Sequence, residues 1–147
     1  MAKILFVCTG NTCRSPMAEA VLAGKKIPGV EVRSAGVFAA NGNDASPNAK
    51  LVLSENNLDL EHQSTLLTEQ EVGWATLILT MTGSHKDAVL AHFPEAQGKV
   101  HTLKEFAGEE AGIDIADPFG GNAERYRAAF REISEAIEKV IDCIKDV

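Results

Sequence analysis

The 147-residue sequence lacks long apolar runs and contains few cysteines. No run approaches the roughly 18–20 residues of a membrane-spanning helix. The apolar stretch "ILFV" near the N terminus is too short for the core of a signal peptide. Three cysteines are an odd number, which argues against a disulfide framework and suits a reducing compartment. We therefore expect a cytoplasmic protein without a membrane partner.

The sequence also lacks an excess of positive charge and the usual patterns of metal and nucleotide sites. Its formal net charge is −7, which argues against a nucleic-acid partner. Cys8 and Cys13 have no second pair of cysteines and the histidines are scattered, so we expect no metal. The Gly-Lys-Ser/Thr ending of nucleotide-binding P-loops is missing. An anion bound here must be held by a local pocket, against the overall charge.

Segments typical of strands and helices alternate along the chain. The length and the ordinary apolar fraction of 45% predict a single domain over residues 1–147. The alternation predicts an α/β fold, a three-layer α/β/α sandwich with a four-stranded parallel sheet. The expected strands cover residues 3–8, 30–36, 76–81 and 99–103, and the expected helices begin at Ser15 and cover 46–57, 68–75, 84–92 and 122–144.

The stretch "CTGNTCRS" joins the first strand to the first helix, at the sheet edge where such folds bind ligands. Gly10 and Asn11 readily adopt positive φ, and a loop that curls there turns its backbone N–H groups inward. Ser15 and Pro16 match the N-cap and first position of a helix, whose dipole also attracts anions. Arg14 adds a planar fork of donors. The stretch therefore predicts a phosphate-binding loop.

Two kinds of side chain give this loop a possible chemistry. Cys8 lies at the base of the predicted cradle, where amide dipoles and Arg14 stabilise a thiolate that can attack phosphorus. Ser15 is placed to hydrogen-bond the sulfur when it leaves. A phosphoryl leaving group needs a proton, so a carboxylic acid is expected on another loop. Asp117, in "IADPFGGN", is the best candidate, and Asp114 is a weaker one.

Over essentially the whole chain, these motifs resemble the low-molecular-weight protein-tyrosine-phosphatase family. Its signature, Cys-x5-Arg-Ser/Thr with a later Asp-Pro-aromatic, is present as "CTGNTCRS" and "DPFGG". The resemblance implies that Cys8 is the nucleophile, Arg14 the phosphate ligand, and Asp117 the general acid and later the base that activates water. It also implies a phosphate-binding loop and a hydrogen-bond network that supports it. The loop set is Thr9, Gly10, Asn11, Thr12, Cys13 and Ser15, and the supporting set is Asn11, Ser15, Ser34 and His62.

Three motifs indicate a branch within this family. Eukaryotic members typically carry a bulky apolar residue where Thr12 stands and a tyrosine pair where Phe119 and Gly120 stand. "CTGNTCRSPMAE", "SAGVFA" and "DPFGG" resemble the bacterial branch that contains protein-arginine phosphatases, in which the loop threonine is associated with phosphoarginine selectivity. Phe38 and Phe119 would form pocket walls that accept a flat group. Phosphoarginine is therefore the favoured substrate group and phosphotyrosine the alternative, while Thr12 could instead simply pack in the loop.

The second cysteine of the loop has two possible roles. A thiolate at Cys8 is open to peroxide, and Cys13 could trap the resulting sulfenic acid as a reversible disulfide. The resemblance implies the same redox behaviour. The alternative is that Cys13 is only a small packed residue. Cys143, on the predicted last helix, is expected to pack or to lie on the surface.

Three other functions share parts of this pattern. An arsenate reductase would use the same loop but usually needs a downstream cysteine relay, and only Cys143 remains. A flavin carrier would need aromatic residues around the ring, and the chain has one tryptophan and one tyrosine. The set of Cys8, Arg14 and Asp117 argues against an inactive phosphate-binding module. We expect a monomer that needs no cofactor and whose partners are phosphorylated protein substrates.

Overall fold

The apolar run at the N terminus forms β1 (Ala2–Cys8), which lies inside a parallel sheet. It pairs on one side with β2 (Val30–Gly36) and on the other with β3 (Leu77–Thr80). Strand β4 (Val100–Thr102) pairs with β3. In this computed structural model, which describes residues 2–145, the strand order is therefore β2-β1-β3-β4. The predicted four-stranded parallel sheet is confirmed.

Alternate residues of β1 face opposite layers, because successive side chains of a strand point to opposite faces. Ile4 and Phe6 belong to one buried core, and Leu5 and Val7 to the other. A sheet buried on both faces needs a helical layer on each, so the predicted three-layer sandwich is confirmed. Helices α1 (Arg14–Gly24), α2 (Pro47–Glu55), α5 (Leu103–Phe106) and α6 (Ala123–Lys145) pack on one core, and α3 (Glu69–Trp74) and α4 (Gly83–His92) on the other.

Most element boundaries lie within one or two residues of the sequence prediction, and two of the differences have a clear cause in hydrogen bonding. The expected strand over residues 99–103 ends at Thr102, because Thr102 and Glu105 form a capping box that starts α5 at Leu103. The first helix begins at Arg14 with Cys13 as its N-cap, so the prediction that Ser15 is the N-cap is wrong. The Ser15 hydroxyl contacts the Cys8 thiol instead of an N-terminal N–H group. A short 3-10 helix, Pro94–Ala96, was not expected from the sequence.

The carboxyl ends of β1, β2 and β3 converge on the loop that follows Cys8. Gly36, the last residue of β2, is paired with Cys8. A Cβ atom added to Gly36 would lie 2.5 Å from the Thr9 carbonyl oxygen and 2.9 Å from the Asn11 nitrogen, which is closer than packing allows. Glycine therefore lets the loop backbone lie directly against β2. Within residues 2–145, no helix combines the length and hydropathy needed to cross a lipid bilayer.

Candidate active site

The loop between β1 and α1 is shaped by Asn11, whose side chain is buried among polar partners. Asn11 has a φ of 57°, as predicted, whereas Gly10 is not in the left-handed region, so that part of the prediction is wrong. The Asn11 amide donates to Ser15 Oγ at 2.8 Å and to Ser34 Oγ at 2.9 Å, and its oxygen accepts from the Thr65 N–H at 2.9 Å. These bonds hold Asn11 in its left-handed conformation, which is the positive-φ position of this loop.

The Cys8 thiol lies at the start of this loop and is almost fully buried. Its Sγ is 2.8 Å from Ser15 Oγ. Because Ser15 Oγ already accepts a hydrogen bond from Asn11, its own proton is free to be donated to the sulfur. A hydroxyl that donates to sulfur stabilises the thiolate over the thiol. Asn11 therefore orients the Ser15 hydroxyl toward the Cys8 sulfur.

An outer layer of hydrogen bonds fixes this network. Ser34 Oγ donates to Glu19 Oε1 at 2.5 Å, and His62 Nε2 lies 2.6 Å from the Asn11 carbonyl oxygen. His62 Nδ1 is 4.0 Å from Glu19 Oε1. Burial raises the pKa of Glu19, although the Ser34 hydrogen bond and the nearby His62 oppose that shift. The structure thus brings Ser34 and His62 to the loop, while Glu19, one helical turn after Ser15, was missed by the sequence reasoning.

Arg14 connects the loop to the segment that carries the candidate acid. Its guanidinium is buried and donates from Nη1 to the Ile115 carbonyl at 2.8 Å. Nη2 lies 3.7 Å from Asp117 Oδ2, and the Asp117 side chain is half exposed. The Ile115 N–H donates to the Met81 carbonyl at 2.9 Å, just past β3. The residue that would bind a phosphate therefore also contacts the segment that carries the candidate acid.

Asp114, the weaker candidate for the general acid, lies outside the cavity and bonds to α4. Its Oδ1 accepts from the Gly83 N–H at 2.8 Å, at the start of α4. It does not line the cavity that contains Cys8 and Asp117. Asp114 therefore anchors its loop to α4.

A cavity of about 210 Å³ opens above the Cys8 thiol. This is below the roughly 300–1,000 Å³ of pockets for drug-sized ligands, so it fits one side chain better than a flavin. Phe119 lines the cavity, but Phe38 does not, so the prediction that Phe38 forms a wall is wrong. The Phe38 N–H bonds to the Thr9 carbonyl, and its side chain lies in solvent, 78% exposed. The lining residues are Cys8, Thr9, Gly10, Thr12, Cys13, Arg14, Asp117 and Phe119.

The second loop thiol has polar partners that the sequence did not indicate. Cys13 Sγ lies 3.3 Å from the Tyr126 hydroxyl of α6 and 3.5 Å from Ser46 Oγ, which precedes α2. Burial raises the pKa of Tyr126, and the neighbouring Cys13 adds to the shift. Both Cys8 and Cys13 are free and buried, whereas Cys143 is free and exposed. Cys13 is therefore held by two hydroxyl groups and is more than a small apolar filler.

A buried histidine that sequence reasoning also missed reaches the loop from α4. His85 Nε2 lies 2.8 Å from Thr9 Oγ1. Its Nδ1 is buried without a hydrogen-bond partner among the described residues. Burial lowers the pKa of His85 to about 4, and the Arg14 charge contributes. The imidazole is therefore neutral at neutral pH.

Among residues 2–145, no group of three or more His, Cys, Asp or Glu side chains is placed to hold a metal ion. A buried thiol in a backbone cradle, with a buried arginine and a carboxylate that line the same cavity, defines a phosphatase site that uses cysteine. The chain belongs to the low molecular weight phosphotyrosine protein phosphatase family, whose model matches residues 3–146. The family expected from the two motifs is confirmed.

Two solved structures and one curated relative are similar to this chain over nearly its whole length. The YwlE arginine phosphatase from Geobacillus stearothermophilus is 51% identical, with a TM-score of 0.95, and the match covers 99% of this chain and 94% of that one. A YwlE arginine phosphatase with serine in place of cysteine and a phosphorylated active-site serine is 41% identical, with a TM-score of 0.91 and coverage of 97% and 95%. The low molecular weight protein-tyrosine-phosphatase PtpB of Staphylococcus aureus is 42% identical over 97% of this chain and 99% of its own length. Relatives of this chain thus include both arginine and tyrosine phosphatases.

Proposed function

We propose that this protein hydrolyses phosphorylated side chains of proteins through a phosphocysteine intermediate, with phosphoarginine as the preferred group. The observation that carries the proposal is the cavity itself, which places the Cys8 thiol and the Asp117 carboxylate on the same lining. A nucleophile and an acid that line one small cavity fit an attack on phosphorus with protonation of the leaving group.

In the first step, Cys8 Sγ attacks phosphorus and a sulfur–phosphorus bond forms. The bond between phosphorus and the leaving nitrogen breaks, and its electron pair stays on that nitrogen, which takes a proton from Asp117. Arg14 and the loop N–H groups stabilise the negative charge on the phosphoryl oxygens. Two of the five N–H donors of Arg14 face Ile115 and Asp117, so others remain for an anion.

In the second step, the Asp117 carboxylate takes a proton from water as the water oxygen attacks phosphorus. The sulfur–phosphorus bond breaks, and its electron pair returns to Cys8, where the Ser15 hydroxyl donates to the sulfur. Inorganic phosphate then leaves. The phosphorylated active-site serine in the related YwlE structure supports covalent transfer to this position.

The preference for phosphoarginine is proposed from Thr12 and from the relatives. Thr12 lines the cavity, and among residues 2–145 its hydroxyl makes only a long contact of 3.8 Å, with Cys13 Sγ. It is therefore available to a polar guanidinium or to the attacking water. The similar arginine phosphatase supports this choice, and the similar PtpB supports phosphotyrosine as the alternative.

The substrate class is tested by kcat/KM on phosphoarginine and on phosphotyrosine in matched peptides. We expect the wild type to prefer phosphoarginine and Thr12→Ile to shift the ratio toward phosphotyrosine by roughly 10–100-fold, the effect of losing one polar contact. Thr12→Ser keeps the hydroxyl and is the matched control, with a ratio close to wild type. A wild-type preference for phosphotyrosine, or an unchanged ratio in Thr12→Ile, would contradict the proposed substrate.

We also propose that Cys13 protects Cys8 from irreversible oxidation. Peroxide converts the Cys8 thiolate to a sulfenic acid and releases hydroxide, and the Cys13 thiol then condenses with the sulfenic acid to form a disulfide and water. Tyr126 and Ser46 hold the Cys13 sulfur, so it must leave them to react.

The redox role predicts that recovery from peroxide depends on Cys13. The wild type should regain activity when a thiol reductant is added, whereas Cys13→Ser should stay inactive because Cys8 is oxidised further. Cys143→Ser, which removes the exposed thiol of α6, is the control and should recover like wild type. Equal recovery of Cys13→Ser and wild type would argue that Cys13 only packs in the loop.

We also propose the domain organisation, location, oligomeric state and partners of the protein. Residues 1–147 form one catalytic domain that acts as a cytoplasmic monomer without nucleic-acid or membrane partners. Both buried cores share β1, which supports a single unit, and the net charge of −7 opposes binding to nucleic acid. The molar mass of the purified protein, measured by analytical ultracentrifugation, tests whether it is a monomer.

A further inference from the structure

His85 is the one buried side chain near the site whose hydrogen bonding is incomplete among residues 2–145. It lies on α4, outside the loop, and is separated from Thr9 by 76 residues of sequence. Its Nε2 is 2.8 Å from Thr9 Oγ1, while its Nδ1 faces no partner. A buried polar atom left unpaired is costly, so this arrangement calls for a reason.

The unpaired nitrogen indicates which tautomer the ring adopts. The ring is neutral at neutral pH, so only one of its nitrogens carries a proton. A buried N–H group without an acceptor is rarer and more costly than a lone pair without a donor. The proton is therefore expected on Nε2, and His85 donates to Thr9 Oγ1.

This donation decides where the Thr9 proton points. A hydroxyl group has a single proton, and the side of Thr9 Oγ1 that faces His85 is occupied by the imidazole N–H. Within the described part of the chain, His85 is the only hydrogen-bond partner of this hydroxyl. Thr9 is exposed and lines the cavity, so its proton is available to a ligand there.

Hydrogen bonds also hold the backbone of Thr9 in place. The Thr9 carbonyl accepts from the Phe38 N–H at 2.9 Å, and the preceding Cys8 carbonyl accepts from the Val37 N–H at 3.0 Å. Thr9 is thus pinned to the segment after β2 by its backbone and to α4 by its side chain. The residue held in this way lines the cavity.

We propose that His85 is a positioning residue that holds the Thr9 hydroxyl as a hydrogen-bond donor to an oxygen of the bound phosphoryl group. The proposal rests on the proposed phosphatase function. Thr9 adds a side-chain donor to the backbone N–H groups and to Arg14. The phosphoryl oxygens carry charge in the substrate, the intermediate and the product. The contact should therefore increase both the affinity for inorganic phosphate and kcat/KM.

The tautomer is tested first, by a long-range ¹H–¹⁵N spectrum of the histidine rings in the wild type at neutral pH. His85→Gln assigns the signal by its loss. We expect a neutral His85 ring with its proton on Nε2. A proton on Nδ1 would make Thr9 the donor to His85, turn its hydroxyl away from the cavity, and overturn the proposal.

The second test is a pair of removals with conservative rescues. Thr9→Val and His85→Ala should each weaken phosphate binding, measured by calorimetry, and lower kcat/KM by roughly tenfold, the typical effect of one hydrogen bond to a charged group. The double variant should lose no more than either single one, because both remove the same contact. Thr9→Ser keeps the hydroxyl and His85→Gln keeps an N–H donor, so both should stay within about twofold of wild type.

The outcomes separate this proposal from the phosphatase function. Multiplying losses in the double variant, or a His85→Gln variant as impaired as His85→Ala, would overturn the role of His85. The ring spectrum and phosphate binding need no turnover, so a wild type that binds phosphate but hydrolyses no phosphorylated side chain would overturn the proposed function instead. If His85→Ala does not fold, the role of His85 is still tested by Thr9→Val, by the two conservative variants and by the ring spectrum.

Discussion

Replacing Cys8 by serine is expected to abolish turnover while inorganic phosphate still binds. Loss of a nucleophile typically lowers kcat on the order of 10⁶-fold. A serine hydroxyl is far less acidic than a thiol, and an alkoxide is a much poorer leaving group than a thiolate in the second step. The cradle remains, because Asn11 and Arg14 shape it through bonds that do not involve the Cys8 sulfur. Single-turnover kinetics and a calorimetric phosphate titration measure the two effects.

The Cys8→Ser variant also tests the covalent intermediate. If phosphoryl transfer to position 8 still occurs slowly, mass spectrometry should detect one phosphoryl group on that position, and it should be released very slowly. Cys143→Ser removes a cysteine from the surface of α6 and should retain wild-type turnover. Turnover near wild type in Cys8→Ser would refute the mechanism.

The fold could be predicted from the sequence wherever periodicity and apolar runs decide the structure. The run at β1 and the stripe of α6 each specify their own element, since a fully buried strand and a long amphipathic helix have distinct patterns. Ser-Pro marks the start of α2 correctly, with Ser46 as N-cap. The same pair at Ser15 misled the prediction, because the Ser15 hydroxyl is used by Cys8 and Asn11.

The candidate site could be predicted only where it is contiguous in sequence or matches a family motif. The loop residues lie side by side, so their proximity needs no knowledge of the fold. Contacts such as Thr9 with His85, or Cys13 with Tyr126 across 113 residues, depend on how α4 and α6 pack on the sheet. Periodicity shows which face of a helix is buried, but it does not show which residue of that face meets a given loop residue.

Arg14 connects the phosphate-binding loop to the segment that carries Asp117. Its guanidinium binds the Ile115 carbonyl two residues before Asp117, and Ile115 is held in turn by Met81. Proton transfer requires the acid within hydrogen-bond reach of the leaving atom. In the proposed mechanism, the same buried arginine binds the phosphoryl group and holds the segment that carries the acid.

Replacing Asp117 by asparagine is accordingly expected to slow the reaction by roughly 10²–10⁴-fold, the usual contribution of a general acid. In the wild type, Asp117 Oδ1 accepts a hydrogen bond from the Phe119 N–H at 3.0 Å. Asparagine keeps the size of the side chain and an oxygen that can accept this bond. Only the transferable proton and the negative charge are lost. Asp114→Asn is the matched control: it keeps an oxygen for the Gly83 N–H, lies outside the cavity, and should retain turnover close to wild type.

The dependence on the leaving group identifies the lost proton as the cause. A guanidine nitrogen is strongly basic and needs protonation as its bond to phosphorus breaks, so Asp117→Asn should be most impaired on phosphoarginine. An activated aryl phosphate releases a stable phenolate, which needs the proton least, so the first step should suffer least with this substrate. The second step also needs Asp117 as a base, so phosphocysteine should accumulate with the aryl substrate and appear as a burst of released phenol. Equal losses on both substrates without a burst, or a larger loss in Asp114→Asn, would show that Asp117 is not the acid.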